Sequence, residues 1–233
     1  MKSNNFFIFA SACAILSTVT TLLLIFLPNA VTTTLQEQLL LINNSEYLFK
    51  KWVYFFHPIF SLVSIIGLYL ILKDRSPGFS LTALVFIIIW AHTEAQQQAL
   101  EIDGLNQYWR AAVANSTDQL NVEAAKHMLL NFRGLYDSHY FLLLFTFGIG
   151  SLINGLILIR GIFIEKTLGV CFTFFGLLSL LSFSVYYMGV NLENFINWCY
   201  QWIYTVLQPF ARLLLAYYLI SVYLKKNNAK SQH

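Results

Sequence analysis

Six stretches of the chain are apolar over about the length that a helix needs to cross the hydrocarbon core of a bilayer, ~20 residues. They run over 6–27, 52–72, 79–100, 140–159, 168–188 and 198–224. The third is continuously apolar only as far as Trp90, and the last is long enough to tilt. Pro28, Pro77 and Gly78 sit at span ends, where they interrupt a helix at least cost. The pattern predicts an all-α polytopic membrane protein of six helices, forming a single integral domain over 1–233. The first stretch exceeds the ~7–15 apolar residues of a signal peptide, and Pro28-Asn29-Ala30 is a poor cleavage site. It is read as an uncleaved span.

Two hydrophilic connections carry shorter periodic pieces. Leu35–Ile42 is amphipathic. Between 102 and 138, Ser116-Thr117-Asp118-Gln119 has the form of a capping box. It predicts a helix over about 119–133, with Val122, Ala125, Leu129 and Phe132 on one face and Gly134 at its end. This reads as an interfacial helix in the third loop, a lid over the spans.

Composition agrees with the membrane reading. Of the 233 residues, 58% are hydrophobic and 11% charged, and the mean hydropathy is +0.62. Such a chain lacks the polar residues to cover itself in water, which excludes a soluble enzyme, a disordered protein and a nucleic-acid binder. The bilayer is therefore the first expected partner. Lys and Arg set the orientation. With the N-terminus inside, Lys2, Lys73, Arg75, Arg160, Lys166, Lys225, Lys226 and Lys230 lie on the inner side. Lys50, Lys51, Arg110, Lys126 and Arg133 lie on the outer side. The expectation is a cell (inner) membrane protein with both termini cytoplasmic. Cys13, Cys171 and Cys199 have no metal or redox spacing and read as buried small side chains.

The third and sixth spans break the apolar pattern. Ionisable residues inside a span usually face a bundle interior or a water-filled cavity. Trp90, Glu94, Gln97, Gln98 and Glu101 recur on one helical face, flanked by His92 and Gln96. Tyr204, Gln208 and Arg212 recur every four residues on the sixth span. At ~1.5 Å rise per residue, Glu94, His92, Arg212 and His57 all lie ~20–24 Å above the inner span ends. This layer predicts an ion pair between Glu94 and Arg212, with Gln97 or Gln98 meeting Gln208 one turn outward and Glu101 meeting Tyr204 beyond it. The ladder would open outward as a ligand site lined by these residues, His92 and His57. A purely structural role, polar groups fixing helix register, is the competing reading.

His57, His92 and Glu94 could ligate zinc, and two facing histidines could hold haem, but no local ligand motif supports a metal. No cofactor is expected. No GxSxG or phosphate-binding loop is present, so whether the chain is an enzyme stays open. Gly148, Gly150 and Gly155 read as small-residue helix packing. No inverted repeat marks a large transporter, and six spans would need a second copy to form a pathway of that kind, so a homodimer is one expected arrangement.

The span pattern, His92-Thr93-Glu94-Ala95-Gln96-Gln97-Gln98 and Gln208-Pro209-Phe210-Ala211-Arg212 resemble those of small multi-span bacterial membrane proteins in families of unknown function. The resemblance covers nearly the whole chain and implies no activity. Three readings follow: binding or transport of a small polar or amphipathic ligand, a membrane enzyme or redox protein with a histidine-bound metal or haem, and a structural or assembly partner.

Overall fold

The computed structural model describes residues 5–30, 32 and 34–230. Lys2, counted in the orientation argument, lies outside them, and so do the side chains of Arg133 and Lys230. The helices are α1 (Asn5–Phe26), α2 (Leu35–Leu40), α3 (Ser45–Leu72), α4 (Pro77–Ala99), α5 (Arg110–Asn115), α6 (Gln119–Leu158), α7 (Phe163–Met188), α8 (Glu193–Trp198) and α9 (Thr205–Lys230). Wide π-helical turns join α4 to α5 over Leu100–Trp109 and α8 to α9 over Cys199–Tyr204. The chain is thus an all-α fold with six helices, counted through the π turns, long and apolar enough to span a membrane.

Local chemistry explains the ends. Pro77 opens α4, where its missing N–H has no helical partner to lose. Thr34 and Glu37 form a reciprocal capping box at α2. Asn44 caps α3 by accepting from the Tyr47 N–H. Gly189, at φ 72°, closes α7 in the left-handed region.

The expected third-loop helix is present and starts at Gln119 as expected, but its capping residue and its far end differ. Its cap is Asp118, which accepts from the Leu120 N–H, and not Ser116. Gly134 does not end it: α6 continues unbroken for 40 residues into the fourth span. A glycine costs a helix interior only ~1 kcal/mol, and no turn signal follows to exploit it. At ~1.5 Å per residue α6 is ~60 Å long, about twice the hydrocarbon thickness. The α4–π–α5 segment matches it, and only Ser116–Asp118 separate the two. The third connection is therefore a helical hairpin standing beyond the bundle. Val122, Ala125, Leu129 and Phe132 are its buried face, as the periodicity predicts. Leu35 and Leu39 of α2 pack against it.

In cross-section the spans form a ring. Each packs on its chain neighbour, in the order α1, α3, α4, α6, α7, α9, and α9 closes against α1. The α7–α9 seam is the thinnest of the six. The most apolar stretches of the spans are only a third to a half buried, and their outer faces carry large hydrophobic side chains such as Ile8, Ile15 and Leu22. In water those faces would be costly; in lipid they match the solvent. One end of the ring holds the start of α1, the end of α9 and the short α3–α4 and α6–α7 turns. The other holds the hairpin.

Candidate functional site

Arg212 sits in α9 one residue turn past Pro209. Its Nη1 donates to Ser17 Oγ of α1 and Ser61 Oγ of α3, and its Nη2 lies 3.1 Å from His57 Nε2. A guanidinium has donors only, so His57 Nε2 must accept. The His57 proton is therefore on Nδ1, 2.8 Å from Thr20 Oγ1, and the imidazole is neutral. The hydroxyl directions follow. Ser61 donates to the His57 carbonyl at 2.9 Å, so Ser17 donates to Ser61 at 2.8 Å. Thr20 in turn donates to the carbonyls of Leu16 or Ser17. One arginine thus joins α9, α1 and α3 through neutral acceptors alone.

The expected Glu94–Arg212 ion pair does not form: Arg212 bonds to the neutral groups above, and the carboxylate of the third span that finds a cation is Glu101, with Lys51. Both residues lie on the faces that periodicity gives them, but their helices are not neighbours. Helix α4 packs between α3 and α6, while α9 packs between α7 and α1. A chamber separates them.

That chamber has a volume of about 360 Å³ and lies in the hairpin-side half of the ring. All six spans wall it. From α4 come Trp90, Glu94, Gln97 and Gln98; from α9 and its π turn come Gln208, Tyr204 and Tyr200; from α3 come His57 and Tyr54. Helix α6 adds Tyr136, Tyr140, Leu143, Leu144 and Phe147, while α1 adds Thr21 and α7 adds Ser179. Arg212 borders instead a smaller void of about 40 Å³, next to Trp90, Phe147 and Gln208, which border both spaces. Ser151 Oγ and Arg212 Nε, both buried without a protein partner, belong to residues lining that void, which exceeds the space one water needs.

Of the nine residues expected to line a site, Glu94, Gln97, Gln98, Gln208, His57 and Tyr204 border the chamber. Arg212 stands behind it. Two lie elsewhere. His92 is exposed on the outside of α4, because a two-residue step from Glu94 turns it ~200° about the axis. Glu101 pairs with Lys51 of α3 and not with Tyr204. It falls in the π segment, whose wider i→i+5 turns carry it off the line of Glu94 and Gln98. Gln97 does not meet Gln208 either: its Nε2 donates to the Tyr136 carbonyl at 3.1 Å.

The tyrosines Tyr54, Tyr136, Tyr140 and Tyr200 are the main polar part of the wall that sequence reasoning missed. The available signal was the four-residue spacing of Tyr136 and Tyr140, continued by Leu143, Leu144 and Phe147 once α6 is read as one helix.

Two acceptors on the α4 wall lack partners. Gln98 is buried and its Oε1 has no hydrogen bond. Glu94 makes no hydrogen bond or ion pair with any described residue. His57 has both ring nitrogens engaged and His92 points away, so the three candidate ligands of a metal do not converge. Among the described residues no three His, Cys, Asp or Glu side chains form a metal-binding group.

The fold and chamber define a multi-pass helical membrane protein with a polar internal cavity. Comparison with known protein families, with curated proteins and with solved structures finds no match.

Proposed function

We propose that the chain binds, and moves across or into the membrane, a small polar or amphipathic ligand held in the chamber. The observation that carries this reading is a cavity of about 360 Å³ walled by all six spans, with a carboxylate on its wall that no protein group satisfies. Ligand sites of this size are typical for small molecules. A role limited to fixing helix register leaves the Glu94 charge unexplained, since helix-joining polar groups pair with each other and Glu94 pairs with nothing. In this reading the hairpin end faces outward, both termini are cytoplasmic, and the chamber communicates with the outer side.

The test is a thermal-shift screen of small polar and amphipathic compounds on the purified full chain, run in parallel on Leu144→Trp. Leu144 is a buried wall residue, so the indole fills part of the chamber. Compounds that raise the melting temperature of the wild type and leave Leu144→Trp unmoved support the reading. Equal shifts in both proteins, or no shift with any compound, overturn it.

A further inference from the structure

We infer that the chamber takes an organic ammonium ion, whose N–H groups donate to the Glu94 carboxylate and Gln98 Oε1 and whose hydrocarbon body lies against the aromatic wall. The inference rests on the proposed ligand reading and narrows it to one chemical class.

Charge comes first. Among the residues that border the chamber, Glu94 is the one carboxylic acid, and no Lys or Arg stands beside it. His57 is neutral by the bonding logic above, since it accepts from Arg212 through Nε2. Arg212 does not border this space, and its Nη1 and Nη2 are turned to Ser17, Ser61 and His57. Its Nε lacks a protein partner, but Arg212 lines the smaller void of about 40 Å³ and so offers an anion in the chamber no direct contact. A cation meets Glu94 directly.

Bonding capacity gives the same answer. Two neighbouring groups on the α4 wall are acceptors without partners: the Glu94 carboxylate, and the carbonyl oxygen of the buried Gln98 amide. A buried acceptor is satisfied only by a donor. A ligand that offers N–H groups satisfies both, whereas a carboxylate or phosphate ligand would stand against the Glu94 carboxylate. The spacing fits one headgroup, because Glu94 and Gln98 lie one helical turn apart on the same face of α4.

The aromatic wall supplies the rest. Trp90, Phe147, Tyr140, Tyr200 and Tyr204 all border the one cavity. Aromatic faces attract an ammonium through the ring quadrupole, most strongly where water is excluded. Leu143, Leu144 and Ile25 complete an apolar surface for the body of the ligand.

The experiment uses three probes of matched size: 2-phenylethylammonium, 2-phenylethanol and phenylacetate. Binding to the purified full chain is measured by calorimetry for the wild type, Glu94→Gln and Leu144→Trp. The expected result is that the ammonium binds best and that Glu94→Gln weakens it about ten- to a hundredfold, the loss that removing a charge-assisted hydrogen bond brings. Leu144→Trp abolishes its binding. Glu94 has no protein bond to lose, so Glu94→Gln keeps the wild-type melting temperature and reports on binding alone. If the alcohol or the carboxylate binds as well as the ammonium and Leu144→Trp blocks it, the chamber is a ligand site and the ammonium assignment is overturned. If the ammonium binds equally to all three proteins, it binds outside the chamber and the assignment is also overturned. If no probe binds the wild type, the assignment falls for ligands of this size, and the broader ligand reading is then decided by the compound screen.

Discussion

Gly176→Val is expected to destabilise the bundle by about 2–4 kcal/mol, at or above the upper end of what overpacking usually costs. Gly176 of α7 faces α6 so closely that a Cβ there would stand 2.6 Å from the Leu152 nitrogen and 2.8 Å from the Gly148 carbonyl oxygen. Both are backbone atoms, so no rotamer change relieves the clash and the helices must part. The same contact recurs one heptad along. A Cβ on Gly155 would lie 2.6 Å from the Thr173 nitrogen, and one on Gly169 2.6 Å from the Ile159 nitrogen. Helices α6 and α7 therefore touch backbone to backbone at two points, as small residues allow in a membrane, where dispersion replaces the hydrophobic effect as the source of association. Gly134→Ala is the control. Nothing lies within 4 Å of its Cβ position, and it sits exposed within α6. There alanine should add ~0.5–1 kcal/mol through helix propensity. Unfolding midpoints of the purified variants decide the matter, and a Gly176→Val protein as stable as the wild type would refute the contact.

Glu165→Ala should cost about 2–3 kcal/mol at the opposite end of the ring. Glu165 is 3% exposed and accepts four hydrogen bonds. Arg75 of the α3–α4 turn grips both carboxylate oxygens, at 3.0 and 2.9 Å. The Tyr218 hydroxyl of α9 and the Ile162 N–H, at 2.8 Å, supply the others. Truncation strands the Tyr218 hydroxyl in a buried site. The Arg75 share is smaller, because its side chain is 43% exposed and can turn to water. The hydrogen bonds to Glu165 hold the Arg75 guanidinium above its ordinary range, and since a guanidinium stays charged in acid in any case, acid opens this clasp only by protonating the carboxylate. Glu165→Gln keeps one acceptor oxygen and should fall between the wild type and Glu165→Ala in thermal unfolding. Equal stability of all three would show that the clasp carries no weight.

The six spans were legible because apolar length is a direct consequence of bilayer thickness. The α4 face was legible for a similar reason: Glu94, Gln97 and Gln98 are too costly to face lipid, and helical periodicity aligns them with Trp90. Partners were not legible. Periodicity says which face of a helix is polar, but not which helix that face meets. Arg212 was therefore assigned to Glu94, when the ring order brings it to Ser17 of α1 and Ser61 of α3, residues of two spans whose hydroxyls look like ordinary packing. Glu101 was misplaced because a π turn has no sequence signature that separates it from α-helix. Gly169 and Gly176 were overlooked as partners of Gly148 and Gly155, since heptad spacing across two helices is invisible one helix at a time. Tyr136 was lost with the supposed end of the helix at Gly134.

In the proposed reading the chamber inside the ring is reached from the hairpin end. The most direct measurement is thiol reactivity of Leu143→Cys against Leu142→Cys, each in a chain with Cys13, Cys171 and Cys199 changed to alanine. Leu143 borders the chamber, and Leu142, its chain neighbour, is 44% exposed on the outer face of α6. A thiol needs water to form the reactive thiolate. Membrane-impermeant methanethiosulfonates, one cationic and one anionic, are applied to intact cells. The account predicts that Leu143→Cys reacts, faster with the cationic reagent, while Leu142→Cys stays inert. Reaction at Leu143→Cys only after lysis would reverse the orientation, and inertness of both cysteines in intact and lysed cells would contradict the chamber itself.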